Sequence, residues 1–174
     1  MMRASSQIGD IMRKVAIIMG SKSDLPVVQK GFPVLKELGI EFDVHVYSAH
    51  RTGDAAIKFA KEAGDAGYAV IIACAGMAAH LAGVLAANTV LPVIGVPISS
   101  TLGGLDALLS TVQMPSGIPV ATVAVDGSRN ACYLAAQILA VGDPQLSHRL
   151  ELQRMKMSEA VLKENEEVEQ GFRV

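Results

Sequence analysis

The chain has no tryptophan, and aromatic residues fill only 4% of its 174 positions. That poverty argues against a stacking platform for single-stranded nucleic acid and against a ring pair that would sandwich a flavin. Cysteine is also scarce. Cys74 and Cys132 are too few for a disulfide framework or a cysteine-rich zinc module, and they fit a reducing compartment. Charge is low, at 18%, and nearly balanced: fifteen Lys+Arg against seventeen Asp+Glu, a net of −2. No basic excess marks a nucleic-acid or membrane-surface partner. Residues 66–105 lack Asp, Glu, Lys and Arg altogether, which raises the question of a membrane span. Gly67, Gly76, Gly83, Pro92, Gly95 and Pro97 interrupt that stretch, so it reads as short buried elements joined by turns. The first residues carry too short an apolar run for a signal peptide. Residues 1–12 read as a flexible extension, and a cytoplasmic protein is expected.

What the chain does have is apolar material, 51% of its residues. That is enough to bury one compact core at this length. Val15 to Met19 form a continuous apolar run closed by Gly20, the pattern of a strand buried on both faces. Leu25, Val28, Phe32, Leu35 and Leu38 recur at helical spacing over 24–38. Pro26 suits the first turn there, Pro33 predicts a kink or break, and Gly39 a stop. Residues 41–47 alternate, with Phe42, Val44 and Val46 on one side and Asp43, His45 and Tyr47 on the other, as in a strand near a sheet edge. Helices are expected at 53–66, 78–87, 104–112 and 128–141, and further strands at 68–73, 91–96 and 119–125. Strand and helix alternate without hairpin signals. This predicts right-handed crossovers and a five-stranded parallel sheet, in a flavodoxin-like αβα sandwich of order 2-1-3-4-5 spanning residues 13–142.

Residues 69–125 hold a single charged side chain, Asp106, whereas 143–174 hold twelve. Leu146, Leu150, Met157 and Val161 make a rough stripe through the latter. Residues 143–174 therefore read as an appended amphipathic helix. That helix could fold back on its own sheet or reach a neighbouring subunit; together with the charge-poor middle, it points to oligomerisation and the second placement.

Ligands of open parallel sheets sit beyond the carboxyl ends of the strands, so the segments after each strand carry the chemistry. Gly20-Ser21-Lys22-Ser23-Asp24 can cradle an anion at a helix N-terminus, and Asp24 can accept from ribose hydroxyls; equally, Ser23 or Asp24 can simply cap the helix. Ser48-Ala49-His50-Arg51-Thr52 joins a group able to donate and accept protons near neutrality to a planar, bidentate cation. His80 lines the same cleft or is a hydrogen-bonded residue of a helix start. Cys74 could be a thiol nucleophile but reads better as a small buried side chain. His50 and His80 lack a partner set for zinc, and no metal is expected.

Four pieces, Met19-Gly-Ser-Lys-Ser-Asp24, Ser48-Ala-His-Arg-Thr52, Ala75-Gly-Met-Ala-Ala-His-Leu81 and Gln113-Met-Pro-Ser-Gly-Ile-Pro119, occur in order over about residues 13–160. Together they resemble the N5-carboxyaminoimidazole ribonucleotide mutase family of de novo purine biosynthesis. The resemblance implies a homo-octamer that uses no metal or organic cofactor. Its reaction moves a carboxylate from the exocyclic nitrogen to ring carbon C4 of a nucleotide substrate, through loss and recapture of CO2. It implies His50 as the acid/base, with Ser21, Ser23, Asp24, Ser48, Arg51 and His80 binding or bordering the substrate. An ATP-dependent synthetase that makes the substrate is implied as a functional partner. Arg51 and His80 favour the mutase over the related direct carboxylases, which carry Lys and a Ser-Asn pair around those places. The chain departs from the family pattern at Gly53, Met77 and Ala82, where Pro, Gly and Pro are usual.

Overall fold

The structure, a computed structural model, describes residues 13–172; the extension expected at 1–12 lies outside them. Five strands form one all-parallel sheet: β1 (Lys14–Met19), β2 (Phe42–Val46), β3 (Tyr68–Gly76), β4 (Val93–Ile98) and β5 (Ala121–Thr122). Their spatial order is β2-β1-β3-β4-β5, the order predicted. Between and after them run α1 (Leu25–Val28), α2 (Phe32–Glu37), α3 (Gly53–Glu62), α4 (Leu81–Ala86), α5 (Leu105–Val112), α6 (Ser128–Ala140) and α7 (Pro144–Gly171).

The alternation of each central strand feeds two cores. Val15, Ile17 and Met19 of β1, Val70, Ile72 and Cys74 of β3, and Ile94, Val96 and Ile98 of β4 face one side. There they meet Val28, Val34 and Leu35 of α1 and α2, Ala131 to Leu139 of α6, and Leu146 at the start of α7. Ala16, Ile18, Ile71 and Ala73 face the other side, against Ala56 and Ala60 of α3 and Leu81, Ala82 and Leu85 of α4. Each fully buried Ile or Leu contributes about 1.5–3 kcal/mol of transfer free energy. Burial of β1, β3 and β4 on both faces explains why they read as continuous apolar runs.

The kink expected at Pro33 is present. Pro33 has no N–H for the carbonyl of Gln29, and that carbonyl instead accepts from Phe32 in a tighter turn, Gln29–Gly31, that separates α1 from α2. Gly31 is the residue that fits there, because a Cβ would stand 2.7 Å from both Cys132 Sγ and the Ser128 carbonyl of α6. Gly39 ends the segment at φ +68°, as expected of a helix-stopping glycine.

The strand expected near a sheet edge at 41–47 is β2, the first strand of the sheet order. In β2 the apolar residues Val44 and Val46 are exposed, while His45 and Tyr47 lie under Phe59 of α3, with ring centroids 4.9 and 5.7 Å from it. An aromatic helix residue, not hydropathy alone, chose the covered face of this edge strand. The strand expected over 119–125 is reduced to Ala121–Thr122. Beyond it, Val123 N donates to Gly95 O and Asp126 N to Pro97 O. Three residues on one side against two on the other break the ladder. The helix expected from Ala78 begins only at Leu81, because Ala79 N and His80 N turn back to the carbonyls of Met77 and Ala78. On the appended helix, Leu146 is buried and Leu150 half-buried, but Met157 and Val161 are exposed. No helix among the described residues is long and apolar enough to cross a membrane.

Candidate functional site

The carboxyl ends of β1 to β4 open onto one cleft of about 780 Å³. Sheet order decides its composition. β1 lies between β2 and β3, so the loop after β1 forms the floor, and the loops after β2 and β3 rise on either side of it. This is the switch point of the strand order. The cleft is lined by Ser21, Ser23 and Asp24 from the first loop, Ser48, His50 and Arg51 from the second, and Ala75 to Ala78 with His80 from the third. All seven residues singled out in the sequence therefore meet in one place.

The floor is a capping box. Ser21 Oγ accepts from Ser23 N at 3.3 Å, and Asp24 Oδ2 accepts from Ser21 N at 3.1 Å. Ser23 Oγ reaches Ser21 Oγ at 2.8 Å and Asp24 Oδ1 at 3.4 Å. The capping role weighed in the sequence is thus real, but it leaves acceptor capacity on both Asp24 oxygens. Burial pushes the Asp24 carboxyl above its ordinary value, against the lowering effect of the Ser21 amide and the Ser23 hydroxyl.

The second loop is held by its hydroxyls. Thr52 Oγ1 accepts from Ser48 N at 2.9 Å, and Ser48 Oγ accepts from Arg51 N at 3.2 Å and from Arg51 Nε at 3.4 Å. These bonds brace the turn and leave the guanidinium without a carboxylate partner among the described residues. His50 and Arg51 are both exposed on the cleft side.

His50 and His80, thirty residues apart, are neighbours. His50 Nε2 lies 3.1 Å from His80 Nδ1, the ring centroids are 5.1 Å apart, and the planes meet at 79°. His80 Nδ1 is also 2.9 Å from the Ala78 carbonyl. One proton can lie between the two facing nitrogens, with donor and acceptor set by the tautomers of the two rings.

Cys74 lies within β3, wholly buried, and burial pushes its thiol far above its ordinary range; the Cys132 thiol is pushed up to about 12 by the same cause. Neither thiol faces the cleft, and neither is suited to act as a nucleophile. Among the described residues no three His, Cys, Asp or Glu side chains gather as a metal site would require. The sequence reading did not single out Met77, Ser99 and Ser100 as site residues, yet all three line the cleft. The signal was available for the two serines, which directly follow β4.

The model of the family described as AIR carboxylase matches residues 14–160. The chain is 49% identical over 160 residues to the N5-carboxyaminoimidazole ribonucleotide mutase of Thermotoga maritima, covering 91% of this chain and 94% of that protein. It is 56% identical over 137 residues to the mutase of Pyrococcus horikoshii, covering 78% and 77%. Among solved structures, Treponema denticola PurE superposes with a TM-score of 0.80 at 28% identity, over 89% of this chain and 98% of that one.

Proposed function

The chain belongs to the AIR carboxylase family and is an N5-carboxyaminoimidazole ribonucleotide mutase of purine biosynthesis; from that premise we propose that His50 carries the protons of the reaction. The carbamate nitrogen of the substrate takes a proton from His50 as its bond to the carboxylate carbon breaks, giving CO2 and the free amine. Ring carbon C4, made electron-rich by that amine, then attacks CO2, and the C4 proton returns to His50. No proton is gained or lost overall. The observation that carries this reading is His50, 3.1 Å from His80, in a cleft floored by the serine–aspartate capping box.

Asp24 takes the ribose hydroxyls, for which its free acceptor positions suit it. Arg51, without a carboxylate of its own, takes an anionic group of the nucleotide. Ser21, Ser23 and Ser48 support these contacts, and His80 walls the cleft beside His50. The carboxyl group is held between its two bonds by the apolar stretch Ala75 to Ala78. No organic cofactor or metal enters this scheme.

The protein works as a homo-octamer in this reading, with α7 laid on a neighbouring subunit. Its 28 residues extend about 42 Å. Leu152, Met155, Met157, Val161, Leu162 and Val168 are exposed along it, as are Leu105, Leu109 and Val112 on α5. Apolar surface on this scale marks an interface. An ATP-dependent synthetase supplies the carbamate, and this chain works in the cytoplasm.

The test offers the purified protein two substrates in parallel: N5-carboxyaminoimidazole ribonucleotide alone, and aminoimidazole ribonucleotide with bicarbonate and CO2. The C4-carboxylate is expected from the first, with little from the second at ordinary CO2. Product mainly from the second would move the chain to direct carboxylation. The mass of a single chain by light scattering would remove the octamer.

A further inference from the structure

Asp126 stands at φ +58°, one of two non-glycine residues among those described that adopt the left-handed region. Aspartate tolerates that region better than most residues, because its short polar side chain can bond to backbone groups. Here the bond reaches across the fold. Asp126 Oδ1 accepts from Ser99 N, 27 residues away, at 2.9 Å.

The contact is built by the irregularity that ends β5. Val123 N still donates to Gly95 O, but the next bond across to β4 runs from Asp126 N to Pro97 O at 2.8 Å. An extra residue of this kind bends the chain and re-aims a side chain. The Asp126 carboxylate thereby lies where Ser99 and Ser100 leave the end of β4. Its neighbours hold the turn. A Cβ on Gly127 would stand 2.7 Å from the Ala124 carbonyl, so the chain packs tightly there. The buried Ser128 donates from its hydroxyl to Val27 O at 2.8 Å, and Val27 itself lines the cleft. The turn is thus anchored to the helix that follows Asp24, and from there it reaches the loop after β4.

That loop needs a brace. Residues 99–103 are all exposed, and Ser99 and Ser100 line the cleft. In the order β2-β1-β3-β4 the loops after β1 and β3 separate them from His50 and Arg51. Ser99 and Ser100 therefore face a bound ligand from across the cleft, away from the imidazoles.

We infer that Asp126 is a positioning residue: it fixes the Ser99 amide so that the hydroxyls of Ser99 and Ser100 meet the bound nucleotide on the wall opposite His50. Without the carboxylate the loop must be ordered at the moment of binding, and that cost falls on affinity. A contact remote from the reacting atoms serves ground state and transition state alike, so its loss raises KM and spares kcat. This inference rests on the reading of the cleft as the nucleotide site.

The experiment measures KM and kcat for formation of the C4-carboxylate from N5-carboxyaminoimidazole ribonucleotide, with melting temperature as the control for folding. Asp126→Gly removes the acceptor and the backbone strain together. It is expected to raise KM about threefold to tenfold, the scale of one hydrogen bond, with kcat and melting temperature near those of the parent. Asp126→Asn keeps an acceptor and tolerates the left-handed region, so its KM is expected to stay within about twofold of the parent's. The double substitution Ser99→Ala, Ser100→Ala is expected to raise KM like the glycine variant, and adding Asp126→Gly to it to raise KM little further, as for residues that act through one another. An asparagine variant as impaired as the glycine variant, or effects that multiply in full, would overturn the positioning role. Unchanged KM in Asp126→Gly, while Arg51→Ala raises it, would overturn the role of Asp126 alone. Unchanged KM in both would remove the cleft as the nucleotide site, and this inference with it.

Discussion

The two ends of the sheet carry similar side chains to opposite effect. At the amino ends of the strands, Lys14 Nζ lies 2.8 Å from Asp43 Oδ2, which also accepts from Tyr68 OH at 2.7 Å. His45 Nε2 joins at 3.3 Å from Tyr68 OH, and Lys14 Nζ sits 4.4 Å from the Tyr68 ring centroid. Cation, anion, phenol and imidazole are spent on one another. At the carboxyl ends, Arg51 has, among the described residues, only Ser48 Oγ as a side-chain partner and His50 only His80, and both are exposed in the cleft. A network closed on itself fastens β1, β2 and β3 together. A network left open has capacity for a ligand.

The comparison breaks most sharply at His50. His50→Asn keeps a polar side chain but cannot carry the proton. Turnover is expected to fall about 10²–10⁴-fold or more, with melting temperature and solution mass unchanged. Near-normal turnover at matched assembly would remove His50 from the chemistry. Arg51→Ala is expected to raise KM about tenfold or more, the equivalent of losing one charge-assisted contact, again with an unaltered melting temperature. A lowered melting temperature with unchanged KM would place Arg51 among the structural residues.

The smallest effect lies at the other end of the sheet. Asp43→Asn is expected to lower the melting temperature slightly and leave KM and kcat alone, because Lys14 and Asp43 are partly exposed and screened. Its pH dependence has a definite sign. The Lys14 hydrogen bond, then that of Tyr68, holds the Asp43 carboxyl below its ordinary value of 3.8. Its stabilising contribution is therefore present above that value and is lost as pH falls through the lower folded one. Lys14 is held above 10.5, chiefly by Asp43, so its share is lost only as pH rises past its folded value. The difference in melting temperature between parent and variant, followed by calorimetry, should persist at neutral pH and shrink in acid. A difference that grows in acid would contradict the ion pair.

Much of this was legible along the chain. The runs Val15–Met19 and Tyr68–Ala73 needed no partner to be recognised, because a strand covered on both faces must be apolar throughout. Pro33 and Gly39 marked a break and a stop through covalent geometry. Ser21, Asp24, Ser48, His50, Arg51 and His80 could be singled out because they directly follow strands in a parallel alternation. What was not legible depended on side-chain contacts and backbone turns that the hydropathy pattern does not carry. The covered face of β2 was set by Phe59, the short β5 by the unequal step at Asp126 and the late start of α4 by the turn at Met77. The stripe on α7 was legible as amphipathic; among the described residues Leu146 and Leu150 pack on the core, while Met157 and Val161 are exposed.

By itself, the sequence determined the order and type of the elements and the composition of each loop. Those follow from local rules: hydrophobic period, the missing N–H of proline and the freedom of glycine. Only the tertiary structure decided that His50 and His80 would stand 3.1 Å apart. That contact exists because β1 is inserted between β2 and β3, which turns two loops thirty residues apart into the facing walls of one cleft.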